Sequence, residues 1–444
     1  MPATTPSIAP YLAAFESLRA SRAGEPAFVR EARGAAIERF AALGFPTPAL
    51  EDWRYTNVEL IASQPFGAAP ATTNGLTAAG TEQLAYSLGG TRLVFVNGRL
   101  RADLSSARPA PGVRAGSLAA LLAEDPGAVE PHLGRIADVA RRAFPALNAA
   151  LAPDGAVILV PRGMVVTDPI HLIFVAQPDA ERIVAHPRNL IVAGEGSQVT
   201  VVESYLGLAA GVAWHNLLTE IVVESGARLR HLRVQRQGEH ELHTSAVAAE
   251  VGRDGSFSSH VVTLGGRLTR NDLDVVLAAE GAECSLDGLY LLAGAQHLDN
   301  HTHIDHAKPH GTSRELYKGV LSGASRGVFN GRIRVRKDAQ KTDARQTNRN
   351  LLLSDSALVD TKPELEIFAD DVKCTHGATI GQLDEASLFY LRSRGVSPEA
   401  GRSLLIHAFA SEVIGRIPLL PLRAGLEADL LARLPNFRAI EEGV

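Results

Sequence analysis

The chain has only two cysteines in 444 residues, Cys284 and Cys374. Two thiols 90 residues apart make no disulfide framework, and a reducing cytoplasm is their natural compartment. Long apolar runs are missing too. None approaches the ~20 residues of a membrane span, so no membrane segment is expected. The stretch from Met1 to Ser7 has neither a basic nor an apolar region, so no secretory signal is expected. Neither sign of charge is in large excess. Lys and Arg number 44 against 49 Asp and Glu, and the net charge of −5 does not point to nucleic acid. No G-x-x-x-x-G-K-[ST] occurs, so the chain has no P-loop of its own. Gly194-Glu-Gly196 lacks the third glycine and the helix of a dinucleotide site.

What is present is a globular composition, 45% apolar and 21% charged, with length for two or three structural units. The middle of the chain repeats. Gly196, Gly226, Gly255, Gly281, Gly311, Ala339 and Asp371 read as successive turns, 26 to 32 residues apart. Four positions before each lies an apolar residue: Val192, Val222, Val251, Leu277, Ala307, Val335 and Ile367. Six positions before, Leu190, Ala249, Val275, Ile333 and Leu365 are apolar, and Glu220 and Asp305 are the exceptions. A same-face spacing of two is the mark of a strand. A period of this length with no helical segment means stacked coils. The expected fold is mainly β: a right-handed parallel β-helix over residues 153–382. An N-terminal helical domain with a short hairpin (1–152) and a C-terminal helical domain (383–444) flank it. Seven coils at about 4.8 Å per strand make a rod on the order of 35 Å long.

In the flanks, residues 8–43 read as two helices, with Pro26 in the first turn of the second. Residues 64–80 read as a loop, Asn97-Gly98 as a hairpin turn, and residues 117–151 as helix. After the repeats, Asp384 caps a helix that Gly395 stops, and Ser397-Pro398 starts another. Leu404, Leu405, Ala408, Phe409 and Val413 are its expected apolar stripe.

Each constellation of reactive residues has a functional and a plain reading. His297, His301, His303, His306 and His310 could ligate a metal or form polar ladders on a β-helix, and their spacing matches no metal motif such as H-E-x-x-H. Asp272 and Asp274 share a strand face. They could be the carboxylates of a polysaccharide-active β-helix enzyme or a solvated pair. Arg332, Arg334 and Arg336 line one face and read as a solvated or protein-contacting surface, since only Phe329 interleaves as a nucleic-acid site would need. A rod has two raw ends of unpaired backbone that something must cover. Cys374 and His376 sit two apart in the last coil, on one face, where a partner could dock. Cys284 reads as a core thiol, while for Cys374 the core and the interface readings both stand.

Several stretches resemble the SufB/SufD family of iron–sulfur cluster assembly proteins, and its SufD branch in particular. They are Glu51-Asp-Trp-Arg-Tyr-Thr56, Ser313-Arg-Glu-Leu-Tyr-Lys-Gly319, Gly327-Val-Phe-Asn-Gly-Arg332, Gln340-Lys-Thr-Asp-Ala-Arg-Gln-Thr-Asn348, Asn350-Leu-Leu-Leu-Ser354, Asp360-Thr-Lys-Pro-Glu364, Ala369-Asp-Asp-Val-Lys-Cys-Thr-His-Gly-Ala378 and Leu388-Phe-Tyr-Leu-Arg-Ser-Arg-Gly395. The resemblance implies a non-enzymatic, cytoplasmic scaffold subunit. It would pair with a SufB-like paralogue through the β-helix ends and carry a SufC-like ABC ATPase on its C-terminal helices. The docking residues implied are Phe389, Tyr390, Arg392, Arg394 and Gly395. His376, beside Cys374, is the implied ligand to a transient iron–sulfur cluster shared with the paralogue. Thr375 and Gly377 flank His376 where SufB-like chains carry acids. A homodimer of the isolated chain is compatible with the resemblance, which does not decide whether one forms. No resident cofactor is implied, and no sequence feature speaks for or against a flavin.

Overall fold

The computed structural model describes residues 7–22, 24–71, 75–106, 108–177, 182–207 and 211–434, apart from the side chains of residues 82 and 83. From Ala156 to Gly381 the chain winds between two sheets; Ile183–Ala185 and Arg188–Ala193 both join the first, and from Gln198 on each coil adds one strand to each sheet. The first sheet ends with Leu268–Leu277, His297–His306, Arg326–Val335 and Leu358–Ile367. The second ends with Glu283–Leu292, Thr312–Leu321, Asp343–Leu352 and Lys373–Gly381. All pairings among these strands are parallel and in unbroken register. The fold is therefore a parallel β-helix, as the repeat predicts. Its interior is a continuous core between the two sheets, running from Leu93 and Phe95 to Ala369.

One corner is held by residues in the left-handed region: Gly196, Gly226, Asp254, Gly281, His310 and Lys341. The backbone N–H of each donates to a carbonyl in the turn of the next coil, from Ser225 through Asp371. The sequence-based anchors Gly255 and Gly311 lie one residue past these positions, and Ala339 two before. The stacked inward positions are Ala193, Val223, Val251, Leu277, His306, Val335 and Ile367. Three of the seven expected positions thus miss the interior ladder. Val192 and Val222 instead pack outward beneath the N-terminal helices, and Ala307 follows the inward His306. The same slip accounts for the two polar exceptions, because Ile221 and Ile304 are the inward residues beside Glu220 and Asp305. The cause is a corner of changing length. The left-handed residue follows the inward ladder by three residues in the first three coils, four in the next two and six in the sixth. No fixed offset from the turn can follow that drift.

The two ends of the rod differ. At the start, Arg114–Ser117 pairs antiparallel with Ala156–Val160. Thr91–Val96 lies parallel on Ile170–Ala176 and turns back at Asn97-Gly98 into Arg99–Leu100. Chain reversal there ends the template with short strands, a common way of blunting an edge. At the finish, Leu358–Ile367 and Lys373–Gly381 are the outermost strands and nothing covers them among the described residues.

Helices cover the outer faces of both sheets. Ala9–Ser21, Ala27–Leu43 and Ala143–Leu151 pack Tyr11, Phe40 and Phe144 around Trp214 on the first sheet. Pro398–Ile414 and Leu420–Arg433 bury Ile406, Val413, Leu422 and Leu426 on the second. Local details depart from expectation. Pro26 is the N-cap residue rather than a first-turn residue. Residues 117–151 form two α-helices, Leu118–Glu124 and Ala143–Leu151, with only a short 3-10 turn at Pro126–Ala128 between them. Within 64–80, Gly67–Ala68 pairs as a strand with Ile183–Ala185, and a helix starts at Ala78. The buried residues of Pro398–Ile414 are Ala400, Gly401, Ser403, Ile406, Ala410, Val413 and Ile414. Only Val413 was expected. The whole sheet face, not the helix's own hydropathy, sets which side turns in. The caps at Asp384 and Ser397 form as expected, each accepting a backbone N–H, and Gly395 sits at φ 85°.

Candidate functional site

Strand alternation places every second residue of Lys373–Gly381 over the interior. Cys374 pairs in register with Ala344, which pairs with Ser313 and then Cys284. Cys284 is buried among Phe257 and Leu286, and burial pushes its thiol far up. Cys374 is half-buried against the same core. Burial raises its thiol as well, although the Ala344 backbone pulls the other way. Unaided, it is a thiol rather than a thiolate, and a metal would have to displace its proton. His376 is exposed, one inward position further along. It stands on the rung beyond Gln346, which stands on the rung beyond Glu315. Gln346 Nε2 donates to Glu315 Oε2 at 2.7 Å, and burial pushes the Glu315 carboxyl up to about 7. Around this mouth Leu358, Ile367, Phe368 and Ile380 expose 41–58% of their surface. A row of unpaired backbone, an apolar rim, a thiol and an imidazole thus coincide at one end.

A second surface lies on Glu385–Ser393. Its Leu388 is buried, but Phe389 and Tyr390 are 70% and 57% exposed. Phe389 therefore does not serve merely to pack the helices together. Arg392, Arg394 and Gly395 are exposed beside them, and the Arg394 guanidinium lies 5.2 Å from the Tyr390 ring centroid. Aromatic and arginine side chains in one exposed cluster suit a protein contact.

Asp272, Asp274, His301 and His303 line a cleft of about 400 Å³ between the N-terminal domain and the first sheet. Neither carboxylate is poised for acid–base work. Arg270 donates to Asp272 at 2.8 Å, and Arg142 forks onto Asp274. Burial alone would raise the Asp274 carboxyl, but Arg142 and His303 hold it down at about 2. A general acid needs the opposite shift. Three of the other histidines have partners as well. His301 lies 3.0 Å from Asp299, His297 shares a 2.8 Å hydrogen bond with Thr56 Oγ1, and buried His306 shares one of 2.9 Å with Ser313. Thr56 Oγ1 donates to Asp299 at 2.5 Å, and the Arg270 guanidinium stacks 4.4 Å from the Trp53 ring. The Glu51–Thr56 stretch is thus the latch between the N-terminal domain and the rod. The sequence marked the stretch only as a family motif and not as a contact, because its partners lie some 240 residues away. Among the described residues, no three His, Cys, Asp or Glu side chains are grouped to hold a metal. Arg332 and Arg334 pair with Glu364 and Glu366 of the next strand at 3.0 and 3.8 Å, and Arg336 with Asp305 at 2.7 Å. This is a cross-strand ion-pair ladder. No described helix is long and apolar enough to cross a membrane.

The class defined by this architecture is a parallel β-helix protein with one closed and one open end, helices on both sheets, and its reactive side chains at the open end. The family model described as SUF system FeS cluster assembly, SufBD core domain, matches residues 174–409. That described as SufBD protein N-terminal region matches residues 7–172. A Synechocystis iron–sulfur cluster assembly SufBD family protein is 34% identical over 90% of each chain. The iron–sulfur cluster assembly protein SufD of Escherichia coli is 32% identical, also over 90% of each. Bacillus subtilis SufD is 28% identical over 62% of this chain and 63% of its own. The chain belongs to the SufB/SufD family of iron–sulfur cluster assembly proteins, and within it is SufD-like.

Proposed function

We propose that this chain is a non-catalytic scaffold subunit that holds a nascent iron–sulfur cluster, as cargo, at the open end of its β-helix. A SufB-like paralogue stacks its own last coil onto Leu358–Ile367 and Lys373–Gly381, continuing both sheets by main-chain pairing. The observation that carries the reading is the coincidence of that bare double edge with Cys374 and His376. Iron in such clusters accepts thiolate and imidazole ligands. One or two ligands from one chain hold a cluster weakly, so the remainder come from the partner and the cargo can leave. A SufC-like ABC ATPase docks on Phe389, Tyr390, Arg392, Arg394 and Gly395 and supplies the nucleotide hydrolysis that the chain, without a P-loop, cannot perform. The whole operates in the cytoplasm.

The test is co-expression with SufB-like and SufC-like chains. His376→Ala should leave the complex assembled and cut cluster formation. Full cluster formation by a well-assembled His376→Ala complex would refute the cargo site.

A further inference from the structure

The group standing behind His376 is Gln346, and it has an unusual seat. Its side chain lies in the rod interior, 2% exposed. One end of its amide is anchored, since Nε2 donates to Glu315 Oε2 at 2.7 Å. The other end, Oε1, is buried and accepts from no group among the described residues. A buried acceptor left unmet is costly, and such atoms in native proteins call for an explanation. The seat itself is built. Gly331, mid-strand in Arg326–Val335, faces the amide from the opposite sheet, and a Cβ there would come within 2.1 Å of Gln346 Nε2 and 2.8 Å of its Cδ. The glycine serves close approach, not a turn. The next inward residue along Gln346's column is His376, paired with it in register.

We infer that Gln346 is a positioning residue for His376: its Oε1 takes one ring N–H of the imidazole and leaves the other ring nitrogen unprotonated and facing out of the rod toward iron. The inference rests on the reading of His376 as an iron ligand. The chemistry follows from the imidazole. A neutral ring has one donor and one acceptor nitrogen, and the hydrogen bond made by the first decides which is free to ligate. Glu315 accepts from the amide nitrogen and so fixes which way the amide faces, presenting oxygen rather than nitrogen to His376. Were the amide reversed, it would donate to the ring and occupy the lone pair that iron needs. No proton is transferred and none is lost. The relay sets a tautomer.

The test uses the full chain labelled with [15N]histidine, at about pH 8.5, where an ordinary imidazole is neutral. The His376 signals are those absent from His376→Ala. The wild type should show two widely separated ring-nitrogen signals, as one tautomer requires. Gln346→Leu should draw the two toward their mean. Glu315→Gln, which frees the amide to turn either way, should do so partly and serves if Gln346→Leu does not fold. Gln346→Glu keeps an acceptor and should restore the separation. Unchanged His376 signals in a folded Gln346→Leu or Glu315→Gln variant would overturn the inference. Cluster formation in the complex is read separately. If the tautomer depends on Gln346 while His376→Ala still builds clusters, the positioning stands and the cargo site fails. If His376→Ala abolishes clusters while the tautomer ignores Gln346, the cargo site stands and the positioning fails.

Discussion

Cys284 and Cys374 stand on one column of the rod interior, three rungs apart, with Ser313 and Ala344 between them. They differ only in what lies beyond. Cys284 has coils on both sides, while Cys374 has a coil on one side and the open end on the other. One structural position thus becomes a core thiol in the middle of the rod and an accessible one at its last rung.

Alkylation should separate them. Iodoacetamide, followed by peptide mass spectrometry, is expected to label Cys374 in the native chain and Cys284 only after unfolding. Cys284→Ser should destabilise by about 1–3 kcal/mol, since it buries a hydroxyl among Phe257 and Leu286. Cys374→Ser should stay within about 0.5 kcal/mol. Docking of the partner should then protect Cys374; equal labelling in the complex would contradict the proposed end-to-end pairing.

Removing Phe389 and Tyr390 should separate docking from stability. Both are more than half exposed, so the double alanine variant should melt within a few degrees of the wild type. Its affinity for a SufC-like ATPase should fall by at least 10-fold, as for a central aromatic anchor. Calorimetric titration reads this directly, and unchanged affinity would place the ATPase elsewhere.

The Arg142–Asp274 pair predicts an acid-side loss of stability. The folded carboxyl titrates at about 2, the unfolded one near 4. A depressed acid contributes stability above its unfolded pKa and loses it as pH falls through the folded one. The loss should therefore fall between about pH 4 and 2, on the order of 2 kcal/mol. Arg142→Ala should be less stable at pH 7 and lack this step in denaturant titrations.

Glu315 predicts the opposite slope. Its folded carboxyl titrates at about 7, so between about pH 4.5 and 7 the native state holds a proton that the unfolded state has released, and stability falls as pH rises. Glu315→Gln removes that liability. Its stability relative to wild type should improve on going from pH 5 to pH 8, by about 3 kcal/mol at most.

Thr56 tests the latch. Thr56→Val keeps the shape but loses the hydrogen bonds to Asp299 and His297. Asp299 keeps Arg270 as a donor, so the loss is that of the two hydrogen bonds themselves, about 1–3 kcal/mol. Limited proteolysis should then cut first in the N-terminal domain, leaving the β-helix intact.

What is local was legible in the order of residues. Alternation every second residue, a repeat near 30 residues, and the caps at Asp384 and Ser397 are written in neighbouring residues, and each appears in the fold. The family motifs were legible for the same reason. Which residues stack was not, because corner length drifts from coil to coil and a one-residue slip moves a side chain from the interior to the surface. That drift turned Val192, Val222 and Ala307 out of the inward ladder. Likewise, a helix's own stripe could not reveal that Ile406 and Ala410 would face the second sheet, since that choice belongs to the surface it covers. Tertiary structure alone put Thr56 on Asp299, Arg142 on Asp274 and Gln346 behind His376. Each of these relations joins residues 30 to 243 positions apart, and only the winding of the rod brings them to one place.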